Sequence, residues 1–490
     1  MKYYVSKPIV YAVFFILLMT SLYQVVYTQK KEKPKPQKRY SELTTKIDSL
    51  LSDPALSSCF LGLRIISLDN GTVLYSKNSN KLFHPASNMK LVTTAAAINA
   101  LRPEFTFRTV LSSTAKIDNG VVRGDIFIET MADPMFKTEH IDSLVVQLVK
   151  KGVKSIKGNI IADTSLFDGL YWGAGWMWDD EPEAYEAFIS PLTVNANSIL
   201  FKFKGGKKQG DAVTFEMVPK VNFYNVVNEA ITSSDTSIPK AKVTRPIRTN
   251  SFTITGRVAP ADTNQSYEVS VWQPEWYYLN LFKSRLETNG ITFNGKCKIE
   301  RFKKGIPLAE CSHPLDSVLT LINKPSDNLA AEIMLKTIGR EKYGKPGSAE
   351  KGLKVVANYL LNCGVDTSQV ELADGSGLSF YNELSPDAFV KILKHQYKQK
   401  SFSRFYESLP IAGVDGTLKN RMKGTKAERN VHAKTGTISG ASTLSGYVTS
   451  ADSVMIAFSF LSNHFTGEIR HLRIKQDRIL ELLAGMKLKE

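Results

Sequence analysis

The chain has 490 residues, of which 43% are hydrophobic and 22% are charged. This length and composition exclude a disordered or fibrous protein and indicate more than one globular domain. The formal net charge is +16, but no block of lysines and arginines is interleaved with aromatic residues. We therefore expect no nucleic-acid partner, and we attribute the charge to attraction toward an anionic polymer or a membrane surface.

Residues 8–27 form an uncharged apolar stretch of about the length needed to cross a bilayer. Lys2 and Lys7 precede it, as in a secretory signal, and no clear small-x-small cleavage site follows. We expect residues 1–29 to be an uncleaved signal-anchor, with a cleaved signal peptide as the alternative. Residues 30–39 are rich in lysine and proline and predict a stiff linker. The body of the protein is then expected outside the cytoplasmic membrane.

The first elements of the body are a hairpin and a helix. Strands are predicted at 60–68 and 72–76 around the Asp69-Asn70-Gly71 turn, followed by an alanine-rich helix at 86–101. Small side chains let other elements approach closely, so this helix is predicted to be central. Further helices are predicted at 141–151, 314–321, 326–338, 348–361, 386–394 and 470–486. Late strands are predicted at 430–437, 442–449 and 454–462.

This order of elements predicts an α+β fold. The early hairpin and the late strands are expected to form one antiparallel sheet flanked by helices, in a domain split into residues 40–108 and 309–490. Residues 109–308 are rich in short strand-like runs with Gly and Asn turns. They predict one or two inserted β-rich domains, with a nested part at about 196–265.

The cysteines and histidines give no metal-binding pattern. None of the four cysteines forms a CxxC pair, and the seven histidines include no HExxH spacing. We therefore predict no metal and no cofactor. Cys297 and Cys311 are candidates for a disulfide around a turn at 303–305, and four buried free thiols, with Cys59 and Cys363, are the alternative.

The first chemical motif is Ser87-x-x-Lys90, at the start of the predicted central helix. A serine hydroxyl is a weak nucleophile that needs a base within hydrogen-bond reach, and residues three apart share a helix face. The helix N-terminus and a second cation, such as Lys434, would lower the pKa of Lys90 so that it accepts the serine proton. Taken alone, the motif is equally met by a solvated lysine on a helix.

The second motif is Ser326-Asp327-Asn328, directly before an apolar helical stretch. Ser326 either relays a proton toward a leaving amine or is no more than a helix N-cap. Asn328 is expected to hold the substrate amide and Lys90.

The third motif is Lys434-Thr435-Gly436-Thr437, on a predicted strand. The edge of a strand pairs with an extended peptide, whose terminal carboxylate Lys434 would attract with the Thr435 and Thr437 hydroxyls as further donors. The backbone N–H groups of Ser87 and Thr437 are expected to form an oxyanion hole. An ordinary strand with one lysine is the alternative.

With these three motifs in this order, the chain resembles a known family, the serine-type D-alanyl-D-alanine carboxypeptidases/endopeptidases. These enzymes belong to the low-molecular-mass class C penicillin-binding proteins, and the resemblance is to the penicillin-binding protein 4 type. The resemblance covers roughly residues 45–485. It includes the long interval between Ser87 and Ser326 (326 − 87 = 239), where the family carries two nested domains. Other similar stretches are Ala132-Asp133-Pro134, the segment 175–180 and the segment 374–379.

The resemblance implies a periplasmic hydrolase that acts on peptidoglycan stem peptides and is trapped covalently by β-lactams. It implies a penicillin-binding/serine β-lactamase-like domain, with Ser87 as the acylated nucleophile and Lys90 as the general base. Ser326, Asn328 and Lys434 would complete the proton and substrate network, and the strand residues Thr435, Gly436 and Thr437 would bind substrate.

Two positions bear on substrate preference. Asp180 matches an acidic position that in this family helps to read the amino group of the substrate's diamino acid, and a loop carboxylate without this role is the alternative. After Ser379 relatives usually carry an arginine that contacts the acidic end of the substrate side chain. Here the position is Phe380, which cannot bind a carboxylate as a guanidinium does. The sequence therefore leaves the side-chain preference open.

Two other functions compete with the peptidase. A serine β-lactamase uses the same chemistry, but the long insertion argues against it. A catalytically idle wall-binding scaffold is the second alternative, and the intact Ser87, Lys90 and Lys434 argue against it.

Overall fold

The structure, a computed structural model, describes residues 40–221, 223–301 and 305–489. The predicted signal-anchor at 8–27 and linker at 30–39 lie outside these residues. The described residues divide into two units at the boundary between Lys46 and Ile47. Among the described residues, no helix combines the length and the apolar character that crossing a membrane requires.

The helices agree with the sequence-based predictions to within a few residues, except that α1, α4 and α9 were not predicted. Pro274 at the first turn of α4 and Glu275 beside it are helix-start signals that could have revealed that helix. The described helices are α1 Ser41–Leu51, α2 Met89–Ala100, α3 Thr138–Lys150, α4 Pro274–Thr288, α5 Leu315–Asn323, α6 Asn328–Tyr343, α7 Ala349–Asn362, α8 Pro386–Tyr397, α9 Phe402–Ser408 and α10 Ile469–Gly485.

Most strands are short and lie in the middle of the chain. In chain order they are β1 Phe60–Ser67, β2 Val73–Lys77, β3 Thr106–Ser113, β4 Ile117–Asp118, β5 Val121–Val122, β6 Ile126–Thr130, β7 Ser155–Ile156, β8 Ile160–Ala162, β9 Ser198–Lys204, β10 Thr214–Val218, β11 Val226–Asn228, β12 Ile231–Thr232, β13 Lys242–Thr244, β14 Phe252–Thr255, β15 Arg257–Val258, β16 Ser266–Ser270, β17 Thr292–Phe293, β18 Cys297–Ile299, β19 Ile306–Pro314, β20 His432–Ile438, β21 Ala441–Thr449 and β22 Met455–Asn463.

The early hairpin and the late strands form one five-stranded sheet in the order β2-β1-β22-β21-β20. All of its neighbouring pairs are antiparallel, as predicted. Strands β21 and β22 are almost entirely buried, because helices cover the sheet. Strand β20 is an edge strand, so one of its sides is not paired within the sheet.

Helix α2 is the centre of the first hydrophobic core. Its residues from Met89 to Ile98 are all buried, and Ala95, Ala96 and Ala97 let neighbouring helices pack closely. The core is completed by α5, α6, α7 and α8. Helix α8 begins where the Ser385 hydroxyl accepts the Ala388 N–H ahead of a favourable proline. The predicted central position of α2 agrees with this packing.

The middle of the chain is β-rich and has a second hydrophobic core, which includes α3 and α4. Its largest sheet has the order β18-β8-β6-β3-β19, with parallel and antiparallel pairs. The predicted limits of the insertion, residues 109 and 308, fall inside β3 and β19, which pair with each other. The domain boundaries therefore stay a prediction.

The proposed disulfide between Cys297 and Cys311 is wrong, because both thiols are free. Cys297 lies on β18 and Cys311 on β19, at opposite edges of the same five-stranded sheet. Three strands separate them, which is far beyond the reach of a disulfide. The alternative of four buried thiols is half right, since all four thiols are free but only partly buried.

Candidate active site

Ser87 lies in the single helical turn Ala86–Asn88 that leads into α2. Strand β21 fixes this turn, because the Thr443 hydroxyl donates to the Pro85 carbonyl at 2.8 Å. Strand β20 packs closely against the same turn, because a Cβ on Gly436 would lie only 2.9 Å from the Ser87 nitrogen. Only glycine permits this approach, which brings β20 beside the Ser87 N–H.

Lys90 is completely buried one turn after Ser87. Its Nζ lies 3.0 Å from Ser87 Oγ, 2.6 Å from Asn328 Oδ1 and 2.7 Å from the Ser376 carbonyl oxygen. These three acceptors match the three hydrogens of an ammonium group, and all are uncharged. Burial lowers the pKa of Lys90 to about 8, although the charges of Asp374, Glu332 and Asp327 oppose the shift.

Lys434 is the second completely buried lysine of the site. Its Nζ donates to Ser326 Oγ and to the Thr435 carbonyl, both at 2.8 Å. Burial holds the pKa of Lys434 well below its usual range, and the positive charge of Lys90 adds to the effect. From the sequence we expected the helix N-terminus and a second cation to lower the pKa of Lys90. In the structure, burial is the largest cause of the lowered pKa of both lysines.

Ser326 is not a helix cap. Asp327 is the N-cap of α6, where its carboxylate accepts the Ala330 N–H at 2.7 Å. Ser326 has a φ of 70°, a left-handed conformation that is strained for a non-glycine residue. This strained backbone conformation brings the Ser326 hydroxyl within hydrogen-bond distance of Lys434 Nζ. Asn328 then begins α6 and holds Lys90 with its oxygen.

The loop at 374–379 delivers the third acceptor of Lys90, the Ser376 carbonyl. Asp374 is fully buried in this loop and accepts five hydrogen bonds. The donors are the Gly377 and Ser379 N–H groups, the Asn382 and Trp176 side-chain nitrogens and the Ser376 hydroxyl. This network makes the loop rigid, which fixes the carbonyl that faces Lys90.

Glu332 is a site residue that the sequence analysis missed. One of its oxygens accepts the Gly375 and Ser376 N–H groups at 2.9 and 2.8 Å. Burial and the charge of Asp374 raise the pKa of Glu332 to about 8. A signal was present, because Glu332 follows Asn328 by four residues and therefore shares its helix face.

The side chains of Thr435 and Thr437 belong to the edge strand β20. Thr435 bonds the Thr417 hydroxyl at 2.7 Å, and Thr437 Oγ1 accepts from Arg473 at 3.1 Å. Arg473 comes from α10 and was also missed, since no motif surrounds it. Its guanidinium brings a positive charge to the strand that is predicted to bind the substrate.

Asp180 and Phe380 lie at different distances from this network. Asp180 accepts the Tyr185 hydroxyl at 2.7 Å, and the Tyr185 carbonyl in turn accepts Asn328 Nδ2 at 2.8 Å. Tyr185 therefore connects Asp180 to Asn328 of the site. Phe380 packs edge-on against His84, with the ring centroids 5.6 Å apart. The structure places Phe380 beside the segment that leads into Ser87 and gives it no polar contact to the lysines.

The fold and the contact of the partly exposed Ser87 with the buried Lys90 together define a class, the serine hydrolases that recognise penicillin. The chain matches the family described as D-Ala-D-Ala carboxypeptidase 3 (S13) over residues 43–484. It therefore belongs to this family, which confirms the predicted family, the predicted fold class and the prediction of a serine-type D-Ala-D-Ala carboxypeptidase.

The individual relatives agree along most of the chain. A D-alanyl-D-alanine carboxypeptidase of Actinomadura sp. (strain R39) is 34% identical, over 88% of this chain and 82% of the relative. The crystal structure of penicillin binding protein 4 (dacB) from Haemophilus influenzae has a TM-score of 0.79 at 26% identity, and the match covers 90% of this chain and 99% of that one. A complex of the same protein with a β-lactam has a TM-score of 0.74 at 25% identity, with 90% and 100% coverage.

Proposed function

We propose that this carboxypeptidase removes the C-terminal D-alanine of peptidoglycan stem peptides through an acyl-enzyme on Ser87. The observation that carries the proposal is the contact between Ser87 Oγ and Lys90 Nζ at 3.0 Å. Lys90 is buried among neutral acceptors and has a pKa of about 8, so a fraction near one tenth is uncharged at pH 7. An uncharged amine at this distance is a competent general base.

In the first step Ser87 Oγ bonds to the carbonyl carbon of the penultimate D-alanine, and its proton passes to Lys90 Nζ. The oxyanion is held by the N–H groups of Ser87 and Thr437. The close approach of Gly436 to the Ser87 nitrogen supports this assignment, because it brings the two segments side by side.

In the second step the carbon–nitrogen bond breaks, and the proton that Lys90 took from Ser87 passes through the Ser326 hydroxyl to the leaving D-alanine amine. Lys434 donates to that hydroxyl and stabilises the relay. Water then attacks the ester while the neutral Lys90 accepts its proton. Lys90 returns this proton to Ser87 Oγ as the ester bond breaks, which releases the shortened peptide and restores Ser87. Asn328 orients Lys90 throughout.

The substrate peptide is proposed to extend along β20, where Thr435, Gly436 and Thr437 bind its C-terminal residue. Arg473 supplies positive potential for the terminal carboxylate, and a carboxylate that arrives beside Lys434 would offset the burial that lowers the pKa of this lysine. Asp180 is proposed to bind the amine of the diamino acid. Phe380 offers an apolar surface where relatives offer a charge, so a substrate side chain without an acidic end is favoured.

The protein is proposed to act outside the cytoplasmic membrane, anchored by residues 8–27, because its substrate is found there. β-Lactams are expected to acylate Ser87 and to remain bound. A penicillin adduct that lasts many minutes distinguishes this reading from a β-lactamase, which would hydrolyse it.

The assignment of Ser87 is tested with labelled penicillin. The wild-type protein should carry one covalent label, and Ser87→Ala should carry none while its thermal unfolding curve stays the same. Equal labelling of the variant would refute Ser87 as the nucleophile, and a wild-type protein without label would favour the scaffold. Mass analysis of purified muropeptides then separates loss of one alanine from splitting of cross-linked dimers.

A further inference from the structure

Three side chains that commonly bind transition metals meet outside the hydrogen-bond network of Ser87 and the two buried lysines. They are His140 on α3 and Cys311 and His313 on β19, and one ligand atom of each lies within 4.8 Å of the other two. In the described part of the chain this is the one such group of three. Sequence spacing could not reveal it, because 171 residues separate His140 from Cys311 (311 − 140 = 171).

The fold holds these residues together through ordinary secondary structure. Cys311 and His313 are two apart on a strand and therefore face the same side. Helix α3 is fastened to that strand, since Gln147 Nε2 donates to the Glu310 carbonyl at 2.9 Å and Gln147 Oε1 accepts the Glu310 N–H at 3.1 Å. His140 lies two turns before Gln147, on the same face of the helix.

A buried carboxylate prepares His313 for coordination. The Asp133 side chain is completely buried, and its Oδ2 lies 2.6 Å from His313 Nδ1. This contact keeps a proton on Nδ1 and leaves the Nε2 lone pair free. A carboxylate behind a ligating histidine is a recurrent arrangement in zinc sites. Asp133 belongs to the segment 132–134, for which the catalytic mechanism gives no use.

The donor set selects the kind of metal. Two imidazoles and one thiolate suit Zn²⁺ and related ions, and the lack of an oxygen ligand disfavours Ca²⁺ and Mg²⁺. Metal–ligand bonds of about 2.0–2.3 Å require the three atoms to draw closer by roughly 1 Å. All three side chains are partly exposed, so an ion can enter.

Binding requires two changes. The Cys311 thiol releases its proton to solvent as the sulfur–metal bond forms. His140 gives up one hydrogen bond, because its Nδ1 accepts the Lys137 N–H at 2.9 Å in the metal-free protein.

We propose that His140, Cys311 and His313 bind one zinc-type ion, with a water in the fourth position, as a clamp between α3 and β19. The site does not depend on the proposed peptidase mechanism. Strand β19 continues directly into α5, which ends three residues before Ser326. The ion would therefore stabilise the segment that leads to the catalytic motif.

The test uses the full chain, stripped with a chelator, desalted and titrated with Zn²⁺ and Co²⁺. The wild type should bind one equivalent, show a thiolate-to-cobalt charge-transfer band and unfold at a higher temperature with Zn²⁺ than without. Cys311→Ser should lose the band, and His313→Gln should weaken binding at least tenfold. Cys297→Ser, a half-buried thiol at the opposite edge of the sheet, is the matched control and should behave as wild type.

The proposal is overturned if the wild type shows no charge-transfer band, or if Cys311→Ser retains it. Should the variants not fold, alkylation of the wild type decides instead. Zn²⁺ must then protect Cys311 and leave the alkylation of Cys297 unchanged, and equal rates at Cys311 with and without the metal would reject the site. Penicillin labelling of Ser87 reports separately on the peptidase.

Discussion

Two buried lysines of this protein differ in the partners that hold them. Lys90 lies on α2 and donates to a hydroxyl, an amide oxygen and a backbone carbonyl. Lys336 lies on α6, about 12 Å along that helix from Asn328, and its Nζ pairs with Asp168 at 2.6 Å and with the Leu170 carbonyl at 2.7 Å. Their side chains are 0% and 1% exposed.

The comparison shows how one residue type serves two purposes. At Lys336 the Asp168 carboxylate lies in direct contact, so two opposite charges compensate each other. At Lys90 all three direct partners are neutral and the nearby carboxylates offset burial only in part, so its pKa falls and it can act as a base. Arg245 is likewise buried in direct contact with a carboxylate, that of Glu181 at 2.9 Å. Burial alone therefore does not identify a catalytic lysine, whereas its partners do.

The same substitution at both lysines gives the largest expected contrast. Lys90→Met should slow acylation by penicillin about 10²–10⁴-fold, because it removes the general base, and should cost about 1 kcal/mol of stability. Lys336→Met should leave acylation of the folded protein unchanged. It should lower the free energy of unfolding by about 3 kcal/mol, because it leaves the Asp168 carboxylate without its cationic partner. Stopped-flow acylation and urea unfolding measure both. Equal effects of the two variants on acylation would reject the conclusion that the partners of a buried lysine decide its role.

The pH profile of acylation tests the difference between Lys90 and Lys336 further. Only uncharged Lys90 accepts the Ser87 proton, so the rate should rise about tenfold per pH unit at low pH and level off above its pKa of about 8. A chromogenic β-lactam in rapid-mixing experiments gives the profile, and Lys336→Met should reproduce it. A rate that falls between pH 6 and 8 would contradict a neutral-amine base.

Arg473 extends the comparison to a half-buried cation whose hydrogen bond goes to a hydroxyl. Arg473→Ala should raise KM about tenfold or more for peptides that end in a free carboxylate, and much less for the matching C-terminal amides. Arg470→Ala, an exposed position on the same helix, is the control. An equal loss on acids and amides would assign Arg473 to folding of the strand.

Asp180 should give the smallest effect, since it is partly exposed and one residue removed from the network. Asp180→Asn should reduce kcat/KM about threefold to tenfold for peptides with a free side-chain amine, and not for their acetylated forms. The neighbouring Asp179→Asn serves as the control. A similar reduction on both peptides would remove Asp180 from substrate recognition.

Most of the proposed catalytic group could be predicted from sequence, because its residues lie in short motifs with characteristic spacing. Ser87 and Lys90 share a helix face, and Lys434 and Gly436 lie on one strand, so the residue types and their order were enough. Glu332, Ser376 and Arg473 were missed because their roles depend on long-range packing. The disulfide prediction failed for the same reason, since strand order, not closeness in sequence, separates Cys297 from Cys311.

The sequence by itself determined the family, the fold class, the limits of most helices and the positions of the three motifs. Tertiary structure alone decided that the pKa values of Lys90 and Lys434 fall, since pKa depends on burial and on partners contributed by distant segments. It also decided that Asp327 rather than Ser326 caps α6, and that His140 meets Cys311 and His313. Such contacts arise only when separate elements pack against one another, and no local pattern encodes them.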